Sequence, residues 1–281
     1  MDLPIEVTDY LPDKVQSQKP LTGGLISFTQ RLTTDSGSYI LKQRVCDFEN
    51  LYEAEAEGLD ALRKPNGPTV PQVLLVGPDF LLLEDMGTET PGPGYWESFG
   101  RQVAHLHSYS NDLYGFHRNN YLGILPMDNS WSEDGYEFFA RTRILRFLDV
   151  PLCQEHLTTE DRSRVESIAK RLPDLIPHQP PSLLHGDLWS GNMLVDPKGQ
   201  PAVIDPGVYY GWPEAELSMT FAYSGVERVF FDAYMEIHSL EPGWQDRFAI
   251  LHIREQLSMI AHNGDAHGTV KGLRDLLDRF A

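Results

Sequence analysis

Three polar residues interrupt an apolar stretch between Leu183 and Pro206: Asp187, Asn192 and Asp205. Asp187 sits in His185-Gly186-Asp187-Leu188-Trp189-Ser190-Gly191-Asn192, so Asn192 follows it by five positions (192 − 187). Asp205 closes the next apolar run, Ala202-Val203-Ile204. Two carboxylates and an amide carbonyl are what phosphoryl transfer asks of a protein. One group must orient an incoming hydroxyl and take its proton, and others must offer hard oxygens to magnesium against nucleotide phosphates. Asp187 fits the first role, and Asn192 with Asp205 the second. A lone His-Gly-Asp is more often an ordinary loop. The three residues in register are what point to chemistry.

Those residues need elements that hold them. Asp196-Pro197-Lys198-Gly199-Gln200-Pro201 is dense in turn formers. It predicts a hairpin joining Met193–Val195 to Ala202–Ile204, which brings Asn192 and Asp205 to one end. The interval from Asp187 to Asn192 is also that of the kinase catalytic loop. Upstream, Leu21–Thr33 reads as a glycine turn at Gly23-Gly24 followed by an alternating strand, and Tyr39–Gln43 as the second strand of a hairpin. Backbone N–H groups at Gly23, Gly24 and Ser27 would cover phosphates, although the stretch is neither a Walker A loop nor a full GxGxxG. Lys42 lies on the second strand as a candidate phosphate contact. Asn50–Leu62 reads as a helix with an apolar stripe at Leu51, Ala54, Leu59 and Leu62. From it Glu55 can reach Lys42. Glu53 is left open as the alternative partner, and Glu57 is expected to be solvated.

Strands at Val70–Val76 and Phe80–Leu83 complete a small antiparallel sheet with one helix, after a lead-in over 1–20 that is either a short helix or extended. Glu84 to Gly94 then shifts to Pro and Gly, which marks a lobe boundary. Adenine is expected to meet backbone groups near Glu84 and Met86. Beyond it the pattern becomes helical, with Trp96–His107, a continuous amphipathic helix over Trp131–Asp149, Glu160–Leu172 capped by Thr158 or Thr159, and helices near 226–238, 244–263 and 267–280. Gly115–Asn129 reads as a loop. His105 and His107 are expected to be packed, since no zinc spacing accompanies them. Glu216 is expected to brace the catalytic loop.

The chain has 281 residues and 41% hydrophobic content, enough for one large domain or two lobes. A net charge of −18 repels nucleic acid and anionic membranes. Two cysteines without a CxxC argue against a disulfide framework and for a reducing, cytoplasmic setting. No apolar run is long enough for a membrane span.

The segments HGDLWSGN at 185–192 and IDPGVYYGWPEAELSMT at 204–220, with the early Thr22-Gly23-Gly24, resemble the fructosamine kinase (ketosamine kinase) family. That family belongs to the aminoglycoside-phosphotransferase-like branch of the protein-kinase-like fold. The resemblance runs from about Leu21 to about Gly268, and the Asn120-Tyr121-Leu122-Gly123 loop and the Phe138-Phe139…Arg143 helix share it. It implies Asp187 as catalytic base, Asn192 and Asp205 as magnesium ligands, Lys42 on the phosphates with Glu55 as its partner, and Leu83–Met86 as the hinge. The sequence departs from the family pattern at Leu25, where many members have cysteine, and at Met127, Trp212, 223–226 and 259–264. Apart from Leu25, these lie on the acceptor side, while the phosphotransfer residues are present.

The resulting expectation is an α+β, two-lobed protein-kinase-like fold. Residues 1–86 would bind nucleotide, and 87–281 would carry catalysis and the acceptor. The expected activity is ATP- and Mg2+-dependent phosphorylation of a ketosamine, free or on a protein, in deglycation. The alternatives are a kinase of an amino alcohol, an aminoglycoside or another sugar, and a pseudokinase that binds nucleotide without turnover.

Overall fold

The computed structural model describes residues 2–21, 27–45, 48–222 and 225–280. The N-terminal lobe contains α1 (Ile5–Tyr10), β1 (Ser17–Pro20), β2 (Ser27–Thr33), β3 (Ser38–Arg44), α2 (Leu51–Leu62), β4 (Val73–Gly77) and β5 (Phe80–Glu84). The strands form one antiparallel sheet in the order β1-β2-β3-β5-β4. The lead-in supplies both a short helix and an edge strand. β4 begins at Val73 rather than Val70, after Pro71, which has no N–H for a ladder.

Strand alternation sorts the side chains onto two faces. Phe80 and Leu82 of β5 join Val7, Leu11, Leu32 and Leu41 in a small core sealed by α1. Leu81 and Leu83 face the opposite way, into the main core with Leu51, Leu59 and Leu62 of α2. Leu41 belongs to the small core, so its neighbours Ile40 and Lys42 turn toward α2. That parity is why a lysine can be buried against a helix that carries glutamates.

The C-terminal lobe begins with α3 (Tyr95–His107) and continues through β6 (Asn120–Leu122), β7 (Leu125–Met127), α4 (Gly135–Phe139), α5 (Pro151–His156), α6 (Thr159–Lys170) and α7 (Leu172–Leu175). β8 (Ser182–Leu184), β9 (Met193–Val195), β10 (Pro201–Val203) and β11 (Tyr209–Gly211) frame the catalytic stretch. The helices α8 (Pro213–Ala222), α9 (Arg228–Met235), α10 (Trp244–Leu251), α11 (Ile253–Asn263) and α12 (Thr269–Phe280) complete the lobe.

Several expectations change. The segment 131–149 is not one helix: α4 is followed by a π-helical turn over Ala140–Ile144 and a 3-10 turn over Leu145–Asp149. Asp134 caps the start by accepting from the N–H groups of Tyr136 and Glu137. The π turn carries Arg143, which is fully buried, stacks on the Phe138 and Tyr209 rings, and donates to Asp128 O and Asn129 Oδ1. The segment 244–263 divides at His252 into α10 and α11. The loop 115–129 contains the β6–β7 hairpin. The helix α6 has the expected Thr158 cap, as a capping box with Asp161.

Candidate active site

Lys42 is 6% exposed, and its Nζ lies 2.5 Å from Glu55 Oε1 and 2.6 Å from Asp205 Oδ1. Glu55 rather than Glu53 is therefore the partner. Burial alone would lower the Lys42 ammonium, but the Asp205 and Glu55 carboxylates outweigh it and raise it above its ordinary value. Glu57 is not merely solvated. It accepts from Arg118 at 2.8 and 2.7 Å and from His117 at 2.9 Å, tying α2 to the segment that leads into β6. Asp205 takes a left-handed backbone (φ 56), which turns its carboxylate toward the lysine.

Asp187 sits on a loop held from below. Glu216 of α8 accepts from the His185 and Gly186 N–H groups at 2.9 Å each, and from His107 Nε2 at 3.0 Å. The other His107 nitrogen accepts from Tyr234, so this histidine is a packed brace. His185 Nε2 donates to Ile204 O while its Nδ1 accepts the Asp187 N–H, an arrangement that needs the neutral ring. Burial lowers the His185 pKa, in agreement. Gly186 has φ 85, and a Cβ there would meet Gly207 O at 2.0 Å, so the loop passes where only glycine fits. Thr220 Oγ1 donates to Leu188 O, a second support from α8.

The hairpin forms as predicted, with Val203 opposite Met193. Its turn is locked by the Asp196 carboxylate, which accepts from the Lys198 and Gln200 N–H groups. Asn192 Nδ2 donates to both Asp187 O and Asp187 Oδ2 at 2.9 Å. Two acceptors require the NH2 group there, which leaves Asn192 Oδ1 as the oxygen available to a cation.

Asp187, Lys42, Glu55, Asn192, Asp205 and Ser27 line one cleft of about 390 Å³. Burial pushes the Asp187 carboxyl up to about 7; Arg254 pulls it down, and Glu255 adds to the rise. A carboxylate near neutrality can both receive and release a proton. The oxygens of Asn192 and Asp205 suit magnesium, which takes few protein ligands and completes its shell with phosphates and water. Among the described residues no group of three or more His, Cys, Asp or Glu side chains forms a denser metal site. Ser27 Oγ also pairs with the Tyr52 hydroxyl at 2.9 Å. Gly23 and Gly24 lie outside the described residues. Glu84 and Met86 stand at the lobe junction and do not line this cleft. Beside them Arg31 of β2 grips Asp85 at 2.5 Å.

Sequence reading missed Arg254 and Glu255 of α11, which stand behind Asp187. Periodicity gave no signal for them: at about 100° per residue Arg254 and Glu255 fall about 100° and 200° round the helix from Ile253, off the Ile253, Leu257 and Ile260 stripe, and only packing buries that side.

The family model described as Fructosamine kinase matches residues 6–277. The chain belongs to the fructosamine kinase family. The members of this family are ATP-dependent phosphotransferases. A "Probable ketoamine kinase" of Enterococcus faecium is 32% identical over 267 residues, covering 93% of this chain and 94% of that protein. "Protein-ribulosamine 3-kinase, chloroplastic" of Oryza sativa subsp. indica is 30% identical over 253 residues, covering 86% and 72%. The crystal structure of a "putative fructosamine-3-kinase" from Thermobifida fusca matches with a TM-score of 0.88 at 30% identity, over 98% of this chain and 96% of that one. The fructosamine kinase fold is accordingly the two-lobed, protein-kinase-like arrangement described above.

Proposed function

We propose that this protein transfers the γ-phosphoryl group of ATP to a sugar hydroxyl of a ketosamine, a fructosamine or ribulosamine, and so serves in deglycation. The observation that carries the reading is Asp187 in one cleft with the Lys42–Glu55–Asp205 cluster. The names of its relatives favour the ketosamine as acceptor. The nucleotide lobe is 1–86 and the catalytic lobe 87–281. A cytoplasmic setting follows from the cysteine usage.

The acceptor hydroxyl, O3 of the sugar, approaches the γ-phosphorus in line. Its oxygen forms the new P–O bond, the bond to the β–γ bridging oxygen breaks, and ADP leaves. Asp187 holds the hydroxyl and takes its proton, and Asn192 keeps the Asp187 carboxylate aimed by its Nδ2 bond. Lys42, fixed by Glu55, lies against the phosphates. Magnesium held by Asn192 and Asp205 would offset phosphate charge. The gain comes from positioning and electrostatics. A phosphorylated ketosamine then releases its amine, which is the repair.

The test is magnesium-dependent ADP release with fructoselysine, ribuloselysine, free ribulose, choline and an aminoglycoside, with Asp187→Asn as control. Turnover on a ketosamine that the control abolishes supports the reading. Turnover only on another acceptor keeps the chemistry and removes the repair role. Nucleotide binding without turnover on any acceptor would leave a binding protein.

A further inference from the structure

The charged groups along the cleft are unbalanced for a site that takes a polyanion. Among the described residues the lining includes four carboxylates, Glu55, Asp187, Asp205 and Glu255, against one lysine, Lys42. They fall into two groups. Lys42 stands between Glu55 and Asp205, and magnesium would meet the surplus there. The second surplus lies on the acceptor side. Arg254 donates from Nη1 to Glu255 Oε1 and also faces Asp187, so one guanidinium serves two carboxylates. Arg143 and Arg146 stand behind Arg254 but do not line the cleft, and His262 of the lining has each ring nitrogen on a carbonyl, of Ser258 and Leu122, so any N–H it carries is already engaged there rather than on Asp187 or Glu255.

Glu255 is 2% exposed yet lines the cleft. Among the described residues the hydrogen bond to its carboxylate comes from Arg254 and falls on Oε1, which leaves Oε2 as the oxygen that can meet a ligand. Oε2 is not among the fully buried atoms that lack a partner, and on the cleft wall it is placed to accept from a bound group that donates. A neutral sugar hydroxyl needs only Asp187. A second carboxylate beside it suits an acceptor that carries positive charge a few bonds from the reacting hydroxyl, as the amine of a ketosamine does.

We propose that Glu255 is the acceptor-recognition carboxylate, and that its free oxygen binds the protonated amine beside the hydroxyl held by Asp187. The inference rests on the kinase reading of this cleft, and it makes the enzyme selective for cationic acceptors. Loss of a charge-assisted hydrogen bond of this kind lowers kcat/KM by about 10- to 100-fold.

The experiment compares a ketosamine with the same sugar bearing an ether oxygen in place of the amine, in the wild type and in Glu255→Gln. The wild type is expected to prefer the amine by about 10- to 100-fold, with most of the difference in KM. Glu255→Gln is expected to level the two substrates, and Glu255→Asp to restore part of the preference. Equal losses on both substrates mean that Glu255 only supports the fold, and they overturn the proposal. If Glu255→Gln does not fold, a wild-type ratio near one overturns it and a strong amine preference weakened in Glu255→Asp upholds it. If ketosamines are not turned over but choline or an aminoglycoside is, the ketosamine reading fails alone. Glu255 is then judged on that acceptor and its uncharged counterpart. Turnover confined to neutral acceptors overturns it as well.

Discussion

Asp187 is placed where its charge is uncomfortable, and that placement has two measurable consequences. Its carboxyl is pushed up to about 7 by burial, from an ordinary value of 3.8. The base form therefore predominates only above that value. The kcat/KM of the kinase is expected to rise with pH through about 7 and level off, and Asp187→Asn is expected to lose about 10²–10⁴-fold in kcat at pH 8, a gap that narrows as pH falls below about 7. A folded pKa above the unfolded one contributes stability that is fully present below about 4 and lost as pH rises through about 7. Asp187→Asn is thus expected to be more stable than the wild type at pH 8, by on the order of 2–4 kcal/mol, with the gap closing near pH 4. Urea midpoints at the two pH values check this. A variant that is inactive and less stable at pH 8 would contradict it. Glu216 behaves oppositely, because it accepts three buried hydrogen bonds under the loop. Glu216→Ala strands those donors and is expected to destabilise by about 3–5 kcal/mol, read as a lower urea midpoint.

At the scale of elements, α2 connects the two lobes. Its Glu55 holds Lys42, its Glu57 binds Arg118, and its Gly58 lies where a Cβ would meet Pro206 and Val208 at 3.3 Å. The loop after Asp205 thus packs on the same helix that fixes the lysine. Gly58→Val pushes these apart and is expected to raise the KM for ATP several-fold more than the KM for acceptor. Steady-state kinetics with each substrate varied separates the two. The acceptor side has its own clamp. His262 of α11 bonds Leu122 O at 2.9 Å, holding the β6–β7 hairpin to the helix that carries Glu255. His262→Ala is expected to reverse the pattern, raising the KM for acceptor and sparing that for ATP.

Across the whole molecule, the cleft lies between a sheet lobe and a helical lobe, and its charges are matched only when ligands are present. Nucleotide with magnesium is expected to stabilise the protein by about 2.7 kcal/mol when present at a hundred times its dissociation constant. A thermal-shift titration reads this directly. Asp205→Asn is expected to remove the magnesium-dependent part of the shift and to leave the magnesium-free response to nucleotide. Among the described residues no helix is long and apolar enough to cross a membrane.

Local chemistry was legible in the chain: the hairpin 193–203 from its turn formers, α2 from its apolar stripe, the Thr158 cap, and Asp187 with Asn192 from their spacing. These depend on backbone propensity, periodicity and spacing within a few tens of residues, and those are written in the sequence. Relations between distant segments were decided by packing. The partner of Lys42 depended on which face of β3 the sheet turned toward α2. The break in 131–149 arises where Arg143 is drawn between the Phe138 and Tyr209 rings, and Tyr209 comes from another part of the chain. Glu255 reads as one more helical acid until α11 is laid behind Asp187. Only the tertiary structure gathers Glu55 and Asp205 about Lys42, and Asp187 and Glu255 about Arg254, because burial and mutual distance, not residue type, decide what a charge can do.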